Sequence, residues 1–257
     1  TSMRVDAIVL AGAKNDGKLQ EVSSCQYEAL IKINDKPMLC YVINALKSSA
    51  YIGKIVVIGF PEFKEYLDKD VILLECGESL VDNIEIGMDY LGAQNHVLVV
   101  TSDIPMLTQE AVDDFIRRCQ GHTQDLFYTI VSKTANDLVY PGVQRTYVQL
   151  KDGIYTGGNM VLMAPKFIRE ARQVIQQVVK LRKKPFAIVK LLGPRFLLKF
   201  ILKQLTIVEV ENRVKHLFKI NAKAIITSYP QIGTDVDKPS DLELAQKILL
   251  QNHSKEA

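Results

Sequence analysis

A chain of 257 residues has the length of one large domain, or of one domain with a sizeable insertion. With 47% hydrophobic and 24% charged residues it has an ordinary globular composition, and it holds no uncharged apolar run of about 18 residues that would suggest a membrane span. The net charge of +3 hides a division: residues 165–220 carry fourteen Lys and Arg against three Glu, a net +11, which leaves −8 for the remainder and marks that segment as having its own task or partner.

Four scattered cysteines, Cys25, Cys40, Cys76 and Cys119, form no C-x-x-C pair. They suit a reduced, cytoplasmic setting better than a disulfide framework or a zinc site. No charged-then-apolar leader opens the chain, and Thr1 and Ser2 before Met3 read as a cloning remnant outside the fold.

The first element, "VDAIVLAG" (5–12), is an apolar run ending in glycine, a buried strand followed by a loop. Pro37 introduces a helix over residues 39–46. Strands follow at 52–60 and 71–76, a helix at 82–91, a strand at 96–103 and a helix at 110–118. This alternation predicts right-handed crossovers and a mostly parallel sheet, and the unbroken Val/Ile/Leu runs predict burial on both of its faces. Further strands are expected at 125–133, 157–165 and 222–230, and a closing helix at 240–251. Between the last of these strands, residues 166–204 have a helical pattern in which Lys190, Arg195, Lys199 and Lys203 recur among Leu, Phe and Ile. The segment reads first as an amphipathic helix with its charges in water, and alternatively as a site for an anionic substrate or anionic lipid. The expected architecture is one α/β domain over residues 3–250, a Rossmann-like three-layer sandwich with a basic helical insertion at 166–220.

Ligands of open parallel sheets bind beyond the carboxyl ends of the strands, and Asp103 follows such an end in "VLVVTSDIPML". A helix N-cap or a turn before Pro105 would account for it equally well. After the first strand, Gly12 and Gly17 permit tight turns whose amides can cradle phosphate, and Lys14 and Lys18 add charge; a plain connecting loop is the alternative. Lys32 alone would be solvated surface. In "GTDVDKPSDLELA", Ser240 and Glu243 form a capping box, and Asp235 and Asp237 are left as candidates for a hard cation or as turn residues.

Taken in order and spacing, "IVLAGAKNDGKL", "EALIKINDKPMLCYVINAL", "VVTSDIPML", "TGGNMVL" and "GTDVDKPSDLELA" resemble the MobA-like nucleotidyltransferases of the nucleotide-diphospho-sugar transferase fold, over residues 4–165 and 221–250. The resemblance implies transfer of an NMP from a nucleoside triphosphate, GTP or CTP, to a phosphorylated small-molecule or cofactor acceptor, with Mg²⁺ (or Mn²⁺) required and pyrophosphate released. It assigns Asp103 and Asp237 to the metal, with Asp235 matching less directly. The backbone of Ala11, Gly12, Ala13, Lys14 and Gly17, with Lys18, would hold the triphosphate, and Lys32 would touch phosphate. Gly77, Ser79 and Asn83 would lie near the base, and Gly158 and Asn159 near the acceptor. The family's L-A-G-G and later arginine are here "LAGA" without an arginine in the loop, and lysine lacks arginine's bidentate fork.

Such chemistry needs charge stabilisation and positioning and no protein nucleophile. A related glycosyltransferase would show D-x-D, where this chain has Ser102-Asp103-Ile104. A non-catalytic nucleotide-binding regulator would fit the altered loop. Nucleic-acid binding is not expected, because "RKKP" has only Phe186 as a stacking neighbour.

Overall fold

The structure, a computed structural model, describes residues 3–256; the expectation for Thr1 and Ser2 lies outside them. Among the described residues ten strands form: β1 (Val5–Leu10), β2 (Lys32–Ile33), β3 (Lys36–Pro37), β4 (Ile52–Gly59), β5 (Ile72–Glu75), β6 (Val97–Thr101), β7 (Leu126–Ser132), β8 (Val148–Leu150), β9 (Gly153–Met163) and β10 (Ala222–Thr227). The main sheet runs β10-β7-β9-β6-β1-β4-β5, with β8 added to β9. The pairs of β1 with β4 and β6, of β4 with β5 and of β7 with β10 are parallel, and β9 runs antiparallel to both β6 and β7.

Alternation along β1 divides the core. Ala7 and Val9 point to a layer with Leu39, Val42 and Leu46 of α1 (Met38–Ser48) and Phe115 and Ile116 of α3 (Gln109–Cys119). Ile8 points to the other face, where Ile84 and Met88 of α2 (Leu80–Leu91) and Phe167 and Ile168 of α5 (Pro165–Glu170) pack. This is the three-layer arrangement expected from continuous apolar strands.

The basic segment is helical but not one helix. Its pieces are α5, α6 (Arg172–Leu181), α7 (Pro185–Lys190), α8 (Pro194–Ile201) and α9 (Ile207–Phe218). Pro165, Pro185 and Pro194 each stand at a helix start, where the missing N–H costs nothing and the preceding turn is broken. Four further elements escape a reading by period: the two-residue hairpin strands β2 and β3, strand β8, and α4 (Lys133–Val139). The hairpin turns on Asn34 and Asp35, both at positive φ (51° and 69°), a conformation that Asn and Asp tolerate and that two-residue hairpins require. The closing helix α10 (Pro239–Glu256) starts before the position expected for its cap. Ser240 lies within its first turn, and the capping box with Glu243 does not form. The buried Asp241 carboxylate instead accepts from the N–H groups of Asp237 and Lys238.

Candidate active site

The chain builds the sheet from β1 toward β4 and β5, then crosses to the other side of β1 with β6. The loops after β1 and β6 therefore leave in opposite directions and open a crevice at the carboxyl edge, the usual ligand position in such sheets. Its floor is tied by Ser102 N–H donating to the Leu10 carbonyl (3.0 Å) and Ala11 N–H donating to the Ile58 carbonyl (2.9 Å). Asp103 lies at the tip of β6. The N-cap of α3 is Thr108, so Asp103 is not there to cap that helix. Its carboxylate accepts from the Thr101 hydroxyl (2.5 Å) and from Asn159 Nδ2 (3.4 Å), and Asn159 Nδ2 also donates to the Thr101 hydroxyl (3.1 Å). The reversed direction of β9 makes this possible, because register places Met160 opposite Val100 and hence Asn159 at the crevice. The Asp103 carbonyl accepts from Val236 N–H (2.8 Å), drawing in the loop that carries Asp235 and Asp237.

Carboxylates crowd this edge. Burial, then the nearby charges of Asp235 and Asp237, push the Asp103 carboxyl up to about 6 against the pull of the Thr101 hydrogen bond. Glu28, which no sequence motif singled out, is pushed up to about 7 by burial and by Asp103, Asp237, Asp16 and Asp235. The two aspartates assigned beside Asp103 differ. Asp235 is engaged by Arg145, whose Nη1 lies 2.5 Å from Oδ1 and whose Nη2 donates to the Asp235 carbonyl (3.2 Å). Asp237 is exposed and has only Lys183 of the α6–α7 turn at 3.5 Å. Among the described residues no three potential ligands stand close enough to chelate one ion. Two carboxylates with oxygen donors alone suit a cation such as Mg²⁺, which keeps several waters and takes phosphate oxygens as its other ligands. Because a proton competes for a raised carboxyl, a Mg²⁺ ion held at Asp103 would bind more tightly as pH climbs from 5 to 7, with the gain levelling off above. Calorimetric Mg²⁺ titrations across that range would contradict this if affinity were already flat from about pH 5, as an ordinary aspartate would give.

The first loop is only partly the phosphate cradle expected. The Ala11 amide is spent on β4, and Asn15 N–H on the Gln26 carbonyl. The buried Asn15 side chain fixes the loop by donating from Nδ2 to the carbonyls of Ser23 (3.1 Å) and Cys25 (2.8 Å). The N–H groups of Gly12, Ala13 and Lys14 donate to no protein carbonyl among the described residues, so the available cradle is residues 12–14. Gly17 and the exposed Lys14 and Lys18 border it. Exposed Lys32 stands on β2, held beside the loop because Leu19, Ile31, Ile33, Met38, Val236 and Leu242 share one apolar cluster.

On the other flank, Asn83 Oδ1 accepts from Gly77 N–H (2.7 Å), and a Cβ on Gly12 would meet Cys76 Cβ at 3.2 Å and Asn83 Nδ2 at 3.3 Å. Gly12 is thus required by packing against the loop after β5 as well as by its amide. The Ser79 hydroxyl caps α2, accepting from Asp82 N–H (3.1 Å), and keeps its own proton to donate. Gly158 is also a packing residue: a Cβ there would lie 2.0 Å from the Thr129 hydroxyl. Two cavities, of about 400 Å³ between α2 and α5 and about 610 Å³ at the amino ends of β1 and β4, contain none of these groups.

Comparisons with known proteins bear on the family and the fold. Residues 7–186 match the MobA-like NTP transferase domain. A solved structure of a hypothetical transferase from Thermus thermophilus is 34% identical and superposes with a TM-score of 0.81, covering 93% of this chain and 100% of that one. CMP:2-keto-3-deoxy-manno-octonic acid synthetase, solved with CTP, is 14% identical with a TM-score of 0.63, covering 96% and 99% of the two chains, a likeness of fold. A 2-C-methyl-D-erythritol 4-phosphate cytidylyltransferase from Lachnospira eligens is 22% identical over 116 residues, which span 42% of this chain and 49% of that relative, about half its length. The chain belongs to the MobA-like NTP transferase family.

Proposed function

We propose that the protein is a Mg²⁺-dependent nucleotidyltransferase that moves an NMP from a nucleoside triphosphate to a phosphorylated small-molecule acceptor. The observation that carries this reading is Asp103, held by Thr101 and Asn159 at the sheet's switch point, with Asp237 on the neighbouring loop. An acceptor phosphate oxygen attacks the α-phosphorus, the bond from that phosphorus to the α–β bridging oxygen breaks, and pyrophosphate leaves. A phosphate acceptor is already anionic and needs no base. Bound Mg²⁺ would supply charge neutralisation on the phosphates.

In this reading the chain's own groups bind and orient. The amides of residues 12–14 cradle the triphosphate with Lys14, Lys18 and Lys32 around it, and Gly77 and Asn83 border the base. Asn159 fixes the Asp103 rotamer and faces the acceptor side. Arg145 neutralises Asp235, so that Asp103 and Asp237 remain for the ion. Both cytidylyl-named relatives favour CTP over GTP as the first nucleotide to test.

Pyrophosphate release should be measured over the four nucleoside triphosphates with a panel of sugar and polyol phosphates. Release with one triphosphate, dependent on both acceptor and Mg²⁺, is expected. Release of a nucleoside diphosphate from a nucleotide sugar would indicate a glycosyltransferase instead. In the same assay Lys32→Ala should weaken triphosphate binding by about 1–3 kcal/mol, as loss of a charge-assisted hydrogen bond to phosphate does; an unchanged KM would remove Lys32 from the site.

A further inference from the structure

Among the described residues, half of the exposed large hydrophobic side chains, seven of fourteen, lie between Val178 and Leu217, inside the basic segment. Their arrangement follows from how α7 and α8 pack. Val189, Phe200 and Leu205 turn inward to form a small separate core with Phe196, Leu197 and, from β8, Val148 and Leu150. The helical period then forces Leu198, Ile201 and Leu202 onto the opposite side, where they are 58%, 54% and 60% exposed. Phe186 of α7 is also 60% exposed and packs edge-on against Phe200 at 5.1 Å. The platform is fixed: Lys151 N–H donates to the Leu205 carbonyl (2.8 Å) and Ile207 N–H to Asp152 (2.6 Å).

Exposed Lys184, Lys190, Arg195 and Lys203 accompany these apolar side chains. Lys199 differs, being paired with Glu209. We propose that this outer face of α7 and α8 docks on an anionic lipid surface, with Phe186, Leu198, Ile201 and Leu202 entering the headgroup–acyl boundary and the cations lying among the headgroups. Apolar side chains framed by lysine are what such a surface selects, since lysine stems remain apolar while the ammonium stays at the polar level. A protein partner is disfavoured by the same composition, because lysine is depleted where protein interfaces exclude water. Charge distribution sets the orientation. Exposed Lys184, Lys190, Arg195 and Lys203 of α7, α8 and their flanks are attracted to an anionic surface, and the −8 of the residues outside 165–220 is repelled, which favours this side of the molecule facing the surface. Through Lys183, which reaches Asp237, the same platform borders the carboxylate crevice, and docking would hold that crevice near the surface.

The test is co-sedimentation of the whole protein with phosphatidylcholine vesicles, with and without about one-third phosphatidylglycerol. Binding to the anionic vesicles alone is expected, weakening steeply with salt. The triple change Leu198→Gln, Ile201→Gln and Leu202→Gln should lower partitioning at least about tenfold. The triple change Lys190→Gln, Arg195→Gln and Lys203→Gln should lower it roughly a hundredfold, since each cation near the surface contributes about a fivefold factor. All six positions are solvent-facing and outside the crevice, so thermal unfolding and nucleotide response should match the parent in both variants; if one variant fails to fold, the other carries the test. The proposal is overturned if the parent ignores anionic vesicles, if it binds neutral ones equally, or if a folded variant binds as the parent does. It is equally overturned if sedimentation shows this face pairing two copies, with dimers lost in the apolar variant and no vesicle binding.

Discussion

The Asp103→Asn substitution is expected to lower nucleotidyl transfer by about a hundredfold to a thousandfold, the scale on which one well-placed electrostatic group acts in a water-poor site, while raising the protein's stability at pH 8. The two effects have one cause. A carboxyl whose folded pKa is raised costs stability that grows as pH climbs from its unfolded value to its folded one, and the whole cost is present above both. Here that interval runs from the usual aspartate value to about 6. Asparagine keeps an oxygen to accept from Thr101 and Asn159 and carries no charge beside Asp235 and Asp237. A gain of about 1–2 kcal/mol is expected after allowing for partial exposure, and it should vanish near pH 4, where both proteins are neutral at this position. Denaturant melts and turnover at pH 4 and 8 measure both quantities. Lower stability at pH 8 would mean that Asp103 is a structural residue, and intact turnover would remove it from the reaction.

Gly158→Ala is expected to destabilise the fold by about 2–3 kcal/mol, at the upper end of overpacking, because the new Cβ would stand 2.0 Å from Thr129 Oγ1 and 2.8 Å from Thr129 Cβ. Thr129 cannot readily yield, since it is buried and its hydroxyl donates to the Met160 carbonyl (2.8 Å). Any movement of β9 to relieve the clash shifts Asn159 off Asp103, so turnover should fall as well. Gly157→Ala, one residue earlier, meets nothing within 4 Å and should stay within about 0.5 kcal/mol of the parent. Paired urea melts decide it: equal midpoints for the two variants would mean that Gly158 is not pinned between Thr129 and Ile232.

How far the sequence could be read depended on the range over which each feature is decided. The apolar runs of β1, β4 and β6 and the periodic helices α1, α2 and α3 are local, and both the sheet and the position of Asp103 followed from them. Asp103, Asp237 and Asn159 were legible because strand ends and short motifs fix where such residues emerge. Glu28 was not, since its short 3₁₀ turn carries no periodic signal and its chemistry depends on Asp103 and Asp237, far along the chain. Arg145 pairs with Asp235 across ninety residues, and nothing near "VQRTY" announces it. Gly12, Ser79 and Gly158 were singled out by the pattern for ligand roles alone, and their contacts add packing or capping duties: sequence order can mark that a residue matters without telling which of its neighbours makes it so. The basic segment shows the same limit, because its charges are visible in the sequence but its outward Leu198, Ile201 and Leu202 depend on which side of α8 meets the small core.

Under the proposed function, nucleoside triphosphate binds in the crevice between the loops after β1 and β6 and does so through Mg²⁺ at Asp103 and Asp237. Thermal unfolding with each triphosphate, with Mg²⁺ and with chelator, tests it most directly, since only a ligand that prefers the folded state raises the melting temperature. One triphosphate, CTP first among them, should raise it by about 5–10 °C at a hundredfold excess over Kd, with the rise lost in chelator and lost with Mg²⁺ in Asp103→Asn. No rise with any triphosphate, or an equal rise in chelator and in Asp103→Asn, would contradict the account.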